Sequence, residues 1–412
     1  MVQHIDIVPT ILDLVKAPAP GNLRGRSLKP LLDGTGRIRA QPVYSEALYS
    51  RYHFGWSGLT AVTGERYQYI KAPREELYDL TRDRRERENV AEERVEARRA
   101  MSADLNRFDS GREVGTPDPF SVDPKDKPEV LETYRSAIEL AGDRKWSEAI
   151  GLLRRVLHDD PDVPEVWDQL AAVAFVSNRY DVALDAYRHS IELKPSEPSA
   201  YLGAAEVLLK QRKLEDARAR ASAAADAASD KDTRSRASAH ELLARIALAR
   251  HDSDLAREEA GLAHQANPSL PVPAFVDARI LYDQGKYDEA LALFEQAVAE
   301  GKKAGAAPMP DLHFYTGDTL ERLDRRSEAE AEFTEEIRYF PQNVRARAAL
   351  ATIYHTTGQS DAADSAITDM LRASPTPDSY TLAARLWKSF GKTRQAEAIR
   401  AEARRTFAAP RR

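Results

Sequence analysis

The chain has 412 residues, 42% apolar and 31% charged, which is the composition of two to three folded domains with a densely charged surface. Sixty Lys and Arg stand against 66 Asp and Glu, a net charge of -6, so neither a polybasic nucleic-acid binder nor an acidic disordered tail fits. There is no cysteine, hence no disulfide, thiolate metal site or cysteine nucleophile, and no apolar run reaches the ~18–20 residues of a membrane span.

In chain order, Ile7–Val15 predicts a helix with Ile7, Val8, Ile11, Leu12 and Val15 as its apolar stripe. Asp6 is read as its N-cap rather than as a metal ligand, and Pro9 is tolerated in its first turn. That stripe needs a partner surface. A Pro/Gly loop follows, then a short helical turn at Ser27–Leu32 and a strand at Val43–Tyr49. Leu59–Thr63 and Tyr67–Lys71 flank Gly64-Glu65 as a hairpin. Between strand and hairpin, Tyr49–Trp56 reads as a loop whose aromatic side chains pack on a domain outside this sequence. Asn89 with Glu92 predicts a capping box for a last helix carrying Val95, Met101, Leu105 and Phe108 on one side. The sign-alternating run Arg82–Arg99 reads as a solvated face of that helix.

The expected divisions are 1–110, a linker at 111–129 rich in Gly, Pro and polar residues, and a repetitive region at 130–410. Beyond the linker three residue series share one register. Ala149, Ala183, Ala217, Ala256, Ala290, Ala329, Ala363 and Ala396 recur at 33 to 39 residues, mostly 34. Twelve residues before each stands Ala137, Ala171, Ala205, Ala244, Ala278, Gly317, Ala351 or Ala384. Twelve after five of them stands a proline: Pro161, Pro195, Pro268, Pro341 and Pro375. Each unit therefore predicts two short amphipathic helices that cross at a small residue, because anything beyond a methyl would push their axes apart. The two 39-residue steps each carry an insertion of five, around Ser229–Arg236 and Lys302–Pro310.

Trp167, Leu170-Ala171, Tyr180, Ala183, Tyr187 and Pro195, with Gly285-Lys286-Tyr287-Asp288-Glu289-Ala290-Leu291, Phe294 and Ala297, resemble the tetratricopeptide repeat family. The resemblance implies eight units in a mainly α solenoid superhelix whose concave face binds a protein or peptide partner. On that face the outward side of each first helix places Tyr134, Asp168, Phe175, Glu206 and Lys210. The later units add Arg279, Tyr282, Phe314, Asp318, Arg322 and His355. The plainer reading of these residues, a solvated surface with salt pairs between units, stays open. The Lys/Asn set of the family's carboxylate-clamp members has no counterpart, so a C-terminal-tail binder is not expected.

The front 110 residues resemble the C-terminal end of sulfatases of the alkaline-phosphatase-like superfamily. The matching strings are His4–Thr10, Gly25-Arg26-Ser27-Leu28, Tyr44-Ser45-Glu46, Tyr69-Ile70-Lys71, Glu76–Leu80 and Asn89, in the family's order. Arg84 departs from it, where a proline is usual. The resemblance implies a partial, small α+β subdomain, and for Arg51, His53 and Trp56 a place near a substrate mouth. Sulfatases use a nucleophile from C/S-x-P-x-R with calcium and Lys/His groups. That string is absent, so no catalytic residue, metal ligand or cofactor is assigned, and the nine histidines form no ligand pair.

The expected function is a repeat scaffold for protein or peptide partners, attached to a sulfatase remnant. The alternative is a fragment or subunit of a sulfuric-ester hydrolase whose catalytic domain lies upstream or on another chain, making that domain a second partner. A third reading is a pure scaffold with a vestigial front. No nucleic acid or membrane span is expected. As written, the chain lacks a secretion signal and reads as cytoplasmic, whereas a longer parent could carry a leader.

Overall fold

The computed structural model describes residues 2–36, 41–109 and 122–407. It divides into two compact units, 1–136 and 137–412.

In the first unit, α1 (Ile7–Leu14) and α2 (Lys29–Leu32) precede β1 (Val43–Ala47), α3 (Tyr49–Phe54), β2 (Leu59–Thr63), β3 (Tyr67–Lys71), β4 (Glu76–Asp79) and α4 (Val95–Asp109). The strands form an antiparallel meander in chain order. Register places Tyr44 opposite Val62, Val62 opposite Tyr69, and Tyr69 opposite Leu77. Period-two alternation sends this row to one face, where Val62, Tyr69 and Leu77 are wholly buried under Met101 and Leu105 of α4. The two-strand hairpin is as predicted, and β4 extends it beyond what the residues alone indicated.

Several local expectations are corrected. Asp6 does not cap α1. Its carboxylate accepts from the amides of Gln3 (2.9 Å) and Arg26 (3.0 Å), tying the helix entry to the 25–26 turn. Gly25 is required there, since a Cβ would lie 1.8 Å from the Ile5 carbonyl oxygen. Asn89 accepts from Leu77 and Ala91 and donates to Glu75, so it stitches β4 to the chain; α4 starts six residues later. The 82–94 half of the charged run is therefore loop, wrapped round Asp83, which accepts from the amides of Arg85, Arg87 and Glu88. The Tyr49–Trp56 segment is mostly helix α3. Phe54 and Trp56 are buried within this unit, each ring packed on the other at 4.4 Å. Of the expected linker, 111–121 lies outside the described residues. The rest is not a linker, because the Val122 carbonyl accepts from Ser57 and Asp123 is buried.

The remaining helices come in pairs: α5 (Pro128–Gly142) and α6 (Trp146–Asp159); α7 (Pro164–Val176) and α8 (Tyr180–Leu193); α9 (Pro198–Lys210) and α10 (Leu214–Ala227); α11 (Thr233–Ala249) and α12 (Ser253–Ala266). There follow α13 (Val272–Asp283) and α14 (Tyr287–Ala304); α15 (Leu312–Arg322) and α16 (Arg326–Tyr339); α17 (Val344–Thr356) and α18 (Ser360–Ala373); α19 (Pro377–Ser389) and α20 (Thr393–Thr406). Both alanine series are buried throughout. Within each pair one turn residue is left-handed: Arg144, Asn178, Arg212, His251, Gly285, Asp324, Gly358 and Gly391, spaced as the alanines are. The inserts lengthen α11 and α14 and leave the pairing intact.

Two glycines stand directly against aromatic rings. Gly317 stands where other units have Ala, and a Cβ there would meet the Phe333 ring at 2.9 Å. At Gly203 a Cβ would sit 2.2 Å from the Tyr187 ring, whereas at Gly151 it would meet nothing within 4 Å. Gly203→Ala should therefore destabilise by about 1–3 kcal/mol through overpacking. Gly151→Ala should stabilise by about 0.5–1 kcal/mol through helix propensity. Urea unfolding of the two variants, followed by circular dichroism, checks the opposite signs.

Candidate partner-binding face

First helices of successive pairs touch one another from α7 to α19, which places them on the inner side of the solenoid. Side chains one turn apart on these helices share that inner side.

On α13, α15 and α17, joined by Tyr287 from the start of α14, they form an array of arginines and aromatic rings. The Arg345 guanidinium lies 4.2 Å from the Phe314 ring centroid, and that of Arg279 lies 3.5 Å from Tyr315. Arg322 sits 5.2 Å from both Tyr282 and Tyr287. Hydrogen bonds fix the order. Arg322 donates to Tyr282 Oη (3.0 Å), Tyr287 Oη (3.1 Å) and Asp318 (2.9 Å), and Tyr282 donates to Asp318. Arg345 donates to Tyr315 Oη (3.1 Å) and Asp311 (2.6 Å), while Arg279 pairs with Asp283 at 3.0 Å. Burial, then the hydrogen bond to the Asp318 carboxylate, pushes the Tyr282 phenol above its ordinary range, so it remains a donor. Arg279 Nε finds no acceptor.

Beside the array lies a polar knot at the start of α15. Glu336 of α16, fully buried, accepts from the amides of Asp311 (3.1 Å) and Phe314 (3.2 Å). It caps a helix that its own N-terminal residue does not, since Asp311 is left-handed and makes no side-chain cap. Asn343 bridges Glu336 (2.8 Å) and Asp311 (3.1 Å). Further along, Arg245 of α11 donates to Glu206 (2.6 Å) and Glu241 (3.5 Å).

Arg279, Tyr282, Asp318 and Arg322 of the expected set thus meet in one cluster, and Glu206 and Lys210 lie on α9 toward Arg245 and Asp311. Asp168, half-buried with one carboxylate oxygen unsatisfied, has its pKa raised mainly by burial. Phe175 packs on Tyr180, and His355 stacks on Phe390 at 4.0 Å. Two expected face residues are not available to a partner. Phe314 is buried beneath Arg345. Tyr134 is wholly buried in the first unit, its ring against Phe54 and its hydroxyl 3.1 Å from His53 Nδ1. Trp56 is likewise buried, with the Lys127 ammonium over its ring, so of the three suggested mouth residues only Arg51 is exposed. Sequence reasoning missed Tyr287, Asp311, Tyr315 and Arg345. Nothing in the spacing ties Arg345, at the start of α17, to Tyr315.

Residues 1–109 match the family model of the N-sulphoglucosamine sulphohydrolase C-terminal region, and residues 134–198, 169–229, 276–335 and 316–376 match a tetratricopeptide repeat model. The chain joins a sulfatase C-terminal domain to tetratricopeptide repeats. A Delta 4,5-hexuronate-2-O-sulfatase of Bacteroides thetaiotaomicron is 33% identical over 92 residues, 22% of this chain and 19% of that protein. An uncharacterized sulfatase of Schizosaccharomyces pombe is 36% identical over 104 residues, 22% of this chain and 18% of that protein. The chain thus spans about a fifth of the length of the curated relatives it matches. Among solved structures, PilF of Pseudomonas aeruginosa is 17% identical with a TM-score of 0.37, covering 53% of this chain and 95% of its own. The Cut9–Hcn1 assembly is 14% identical with a TM-score of 0.42, covering 71% of this chain and 51% of its own. Among the described residues, no helix is long and apolar enough to cross a membrane.

One inner-face group sets a pH dependence. Burial pushes the Glu241 carboxyl up to about 6, against the pull of Arg245 and with the repulsion of Glu206. Its folded pKa exceeds its unfolded value, so between about 4.5 and 6 the folded state binds more protons, and stability falls as pH rises through that window. Relative to Glu241→Gln, the wild type should lose about 1–2 kcal/mol of stability from pH 4.5 to 7. Urea titrations of both proteins at the two pH values measure it.

Proposed function

We propose that the repeat region is a scaffold that binds a peptide segment of a protein partner on its inner face, centred on Arg279, Tyr282, Tyr287 and Arg322. The observation that carries this reading is the array itself. Arginine and tyrosine are the side chains that most often dominate contact energetics. Here they are held by stacking and hydrogen bonds before any partner arrives, so little rotamer entropy remains to be lost on binding. A family resemblance to peptide-binding repeats supports the same face. A random 12-residue phage library, panned on the full-length protein, should yield peptides whose affinity falls about tenfold or more in Arg322→Ala and in Tyr282→Ala. Selected peptides that bind both variants as tightly as wild type would place the site elsewhere.

A second reading rests on a different observation. Ile7, Val8, Ile11 and Leu14 are about half exposed along α1, an apolar stripe in a unit that resembles the end of a sulfatase. On this reading the first unit docks onto a sulfatase catalytic domain, upstream or on a separate chain, and the whole serves sulfate-ester hydrolysis. The string C/S-x-P-x-R is absent from this sequence, so turnover would need that domain to supply the nucleophile. Aryl-sulfate hydrolysis should then be nil for this chain alone. A sulfatase catalytic domain should co-purify with the wild type and be lost with Ile11→Glu/Leu14→Glu; equal recovery of that domain with both proteins rejects the docking face.

A further inference from the structure

One contact inside the repeat region joins residues 166 apart in sequence. Gln342 Nε2, in the loop between α16 and α17, donates to the Val176 carbonyl at the C-terminal end of α7. The solenoid winds tightly enough for its seventh unit to reach its second.

The loop that makes this contact is held on both sides. Arg347 donates from Nε and Nη2 to the Pro341 carbonyl at 3.1 and 2.9 Å. Asn343 is fixed by Asp311 and Glu336 and accepts from the amides of Arg345 and Ala346 at 3.1 and 3.2 Å. Gln342 therefore projects from a stiff base. Two further observations agree that the inner face is enclosed. Charged side chains that an open groove would leave in water are largely covered: Arg245 is 9%, Arg279 11% and Glu241 16% exposed. Charges also act across the winding. Burial raises the Asp311 carboxyl, but Arg345, Lys210 and Arg245 together pull it below its ordinary value, and Lys210 and Arg245 stand two to three units earlier.

We propose that the solenoid is a latched coil, closed where the 340–343 loop seats on the end of α7, and that release of Gln342 from Val176 admits a peptide to the inner face. The second half of this statement rests on the inner-face reading above; the first does not. The latched state is the non-binding one. The apparent affinity for a peptide is then the intrinsic affinity multiplied by the fraction of open coils.

The absence of cysteine from the chain makes the test direct. In the full-length Val176→Cys/Gln342→Cys protein the two introduced thiols are alone. A short bis-maleimide should bridge them within one chain under native conditions and fail to do so in urea, read by mass and gel mobility. Separate modification of each thiol, or bridging only between chains, overturns the latch. The bridged protein should bind a library-selected 12-residue peptide about tenfold or more weakly than the same protein capped with a monofunctional maleimide. Gln342→Ala should bind that peptide more tightly than wild type. Equal affinity of bridged and capped protein overturns the gating role while leaving the closure standing. A library that yields no peptide counts against the inner-face reading alone, because the cross-linking result decides the latch without it.

Discussion

Everything in the repeat region depends on how closely two helices approach where they cross. Alanine or glycine occupies both sides of that crossing in all eight pairs, with almost no surface left to solvent. A methyl-sized contact lets the backbones nest, and the larger rings of Phe294, Phe333 and Tyr187 fill the space beside it. Gly317 shows the constraint acting, since a Cβ there would meet the Phe333 ring at 2.9 Å. Because each unit buries its apolar side only against its neighbours, a single fault at a crossing is felt along the stack rather than in one helix.

The turns obey a second, weaker rule. All eight pair-closing residues are left-handed, yet only three are glycine. Arg144, Arg212, His251 and Asp324 hold that conformation against a steric cost of roughly 1–2 kcal/mol each. The packing on both sides over-determines the turn, so the backbone accepts strain that an isolated hairpin would not. The same logic explains the start of α15. After an insert, the chain enters the helix from a left-handed aspartate, and a buried glutamate of the next helix supplies the missing cap. Burying Glu336 raises its pKa, but two amides and an amide side chain meet its oxygens.

In the first unit the apolar logic is different. A four-stranded meander buries one face under α4, while α1 leaves its stripe half open to water. The stripe was legible as Ile7, Val8, Ile11 and Val15 at helical spacing. That Asp6 would anchor the 25–26 turn instead of capping the helix was not legible, because the choice depends on the Gly25 backbone passing within contact of Ile5. Asn89 failed for a related reason: an Asn followed by Glu three residues on looks the same whether it caps a helix or stitches a strand.

Periodicity carried the architecture. Small residues at a fixed interval need no three-dimensional information to be read, and the turns and helix pairs follow from them. The first helix of each unit was likewise assigned to the inner face from its register, and Arg279, Tyr282, Asp318 and Arg322 were named on that ground. Their union into one array with Tyr287, Tyr315 and Arg345 was decided by the tertiary structure, since it depends on how far each unit rotates against the next. Tyr134 marks the opposite limit. Its register matched the inner face, but its neighbours in space are Phe54 and His53, some eighty residues earlier in the chain. Contacts between distant segments, such as Gln342 with Val176, arise from the accumulated twist of many units, and no local pattern encodes that sum.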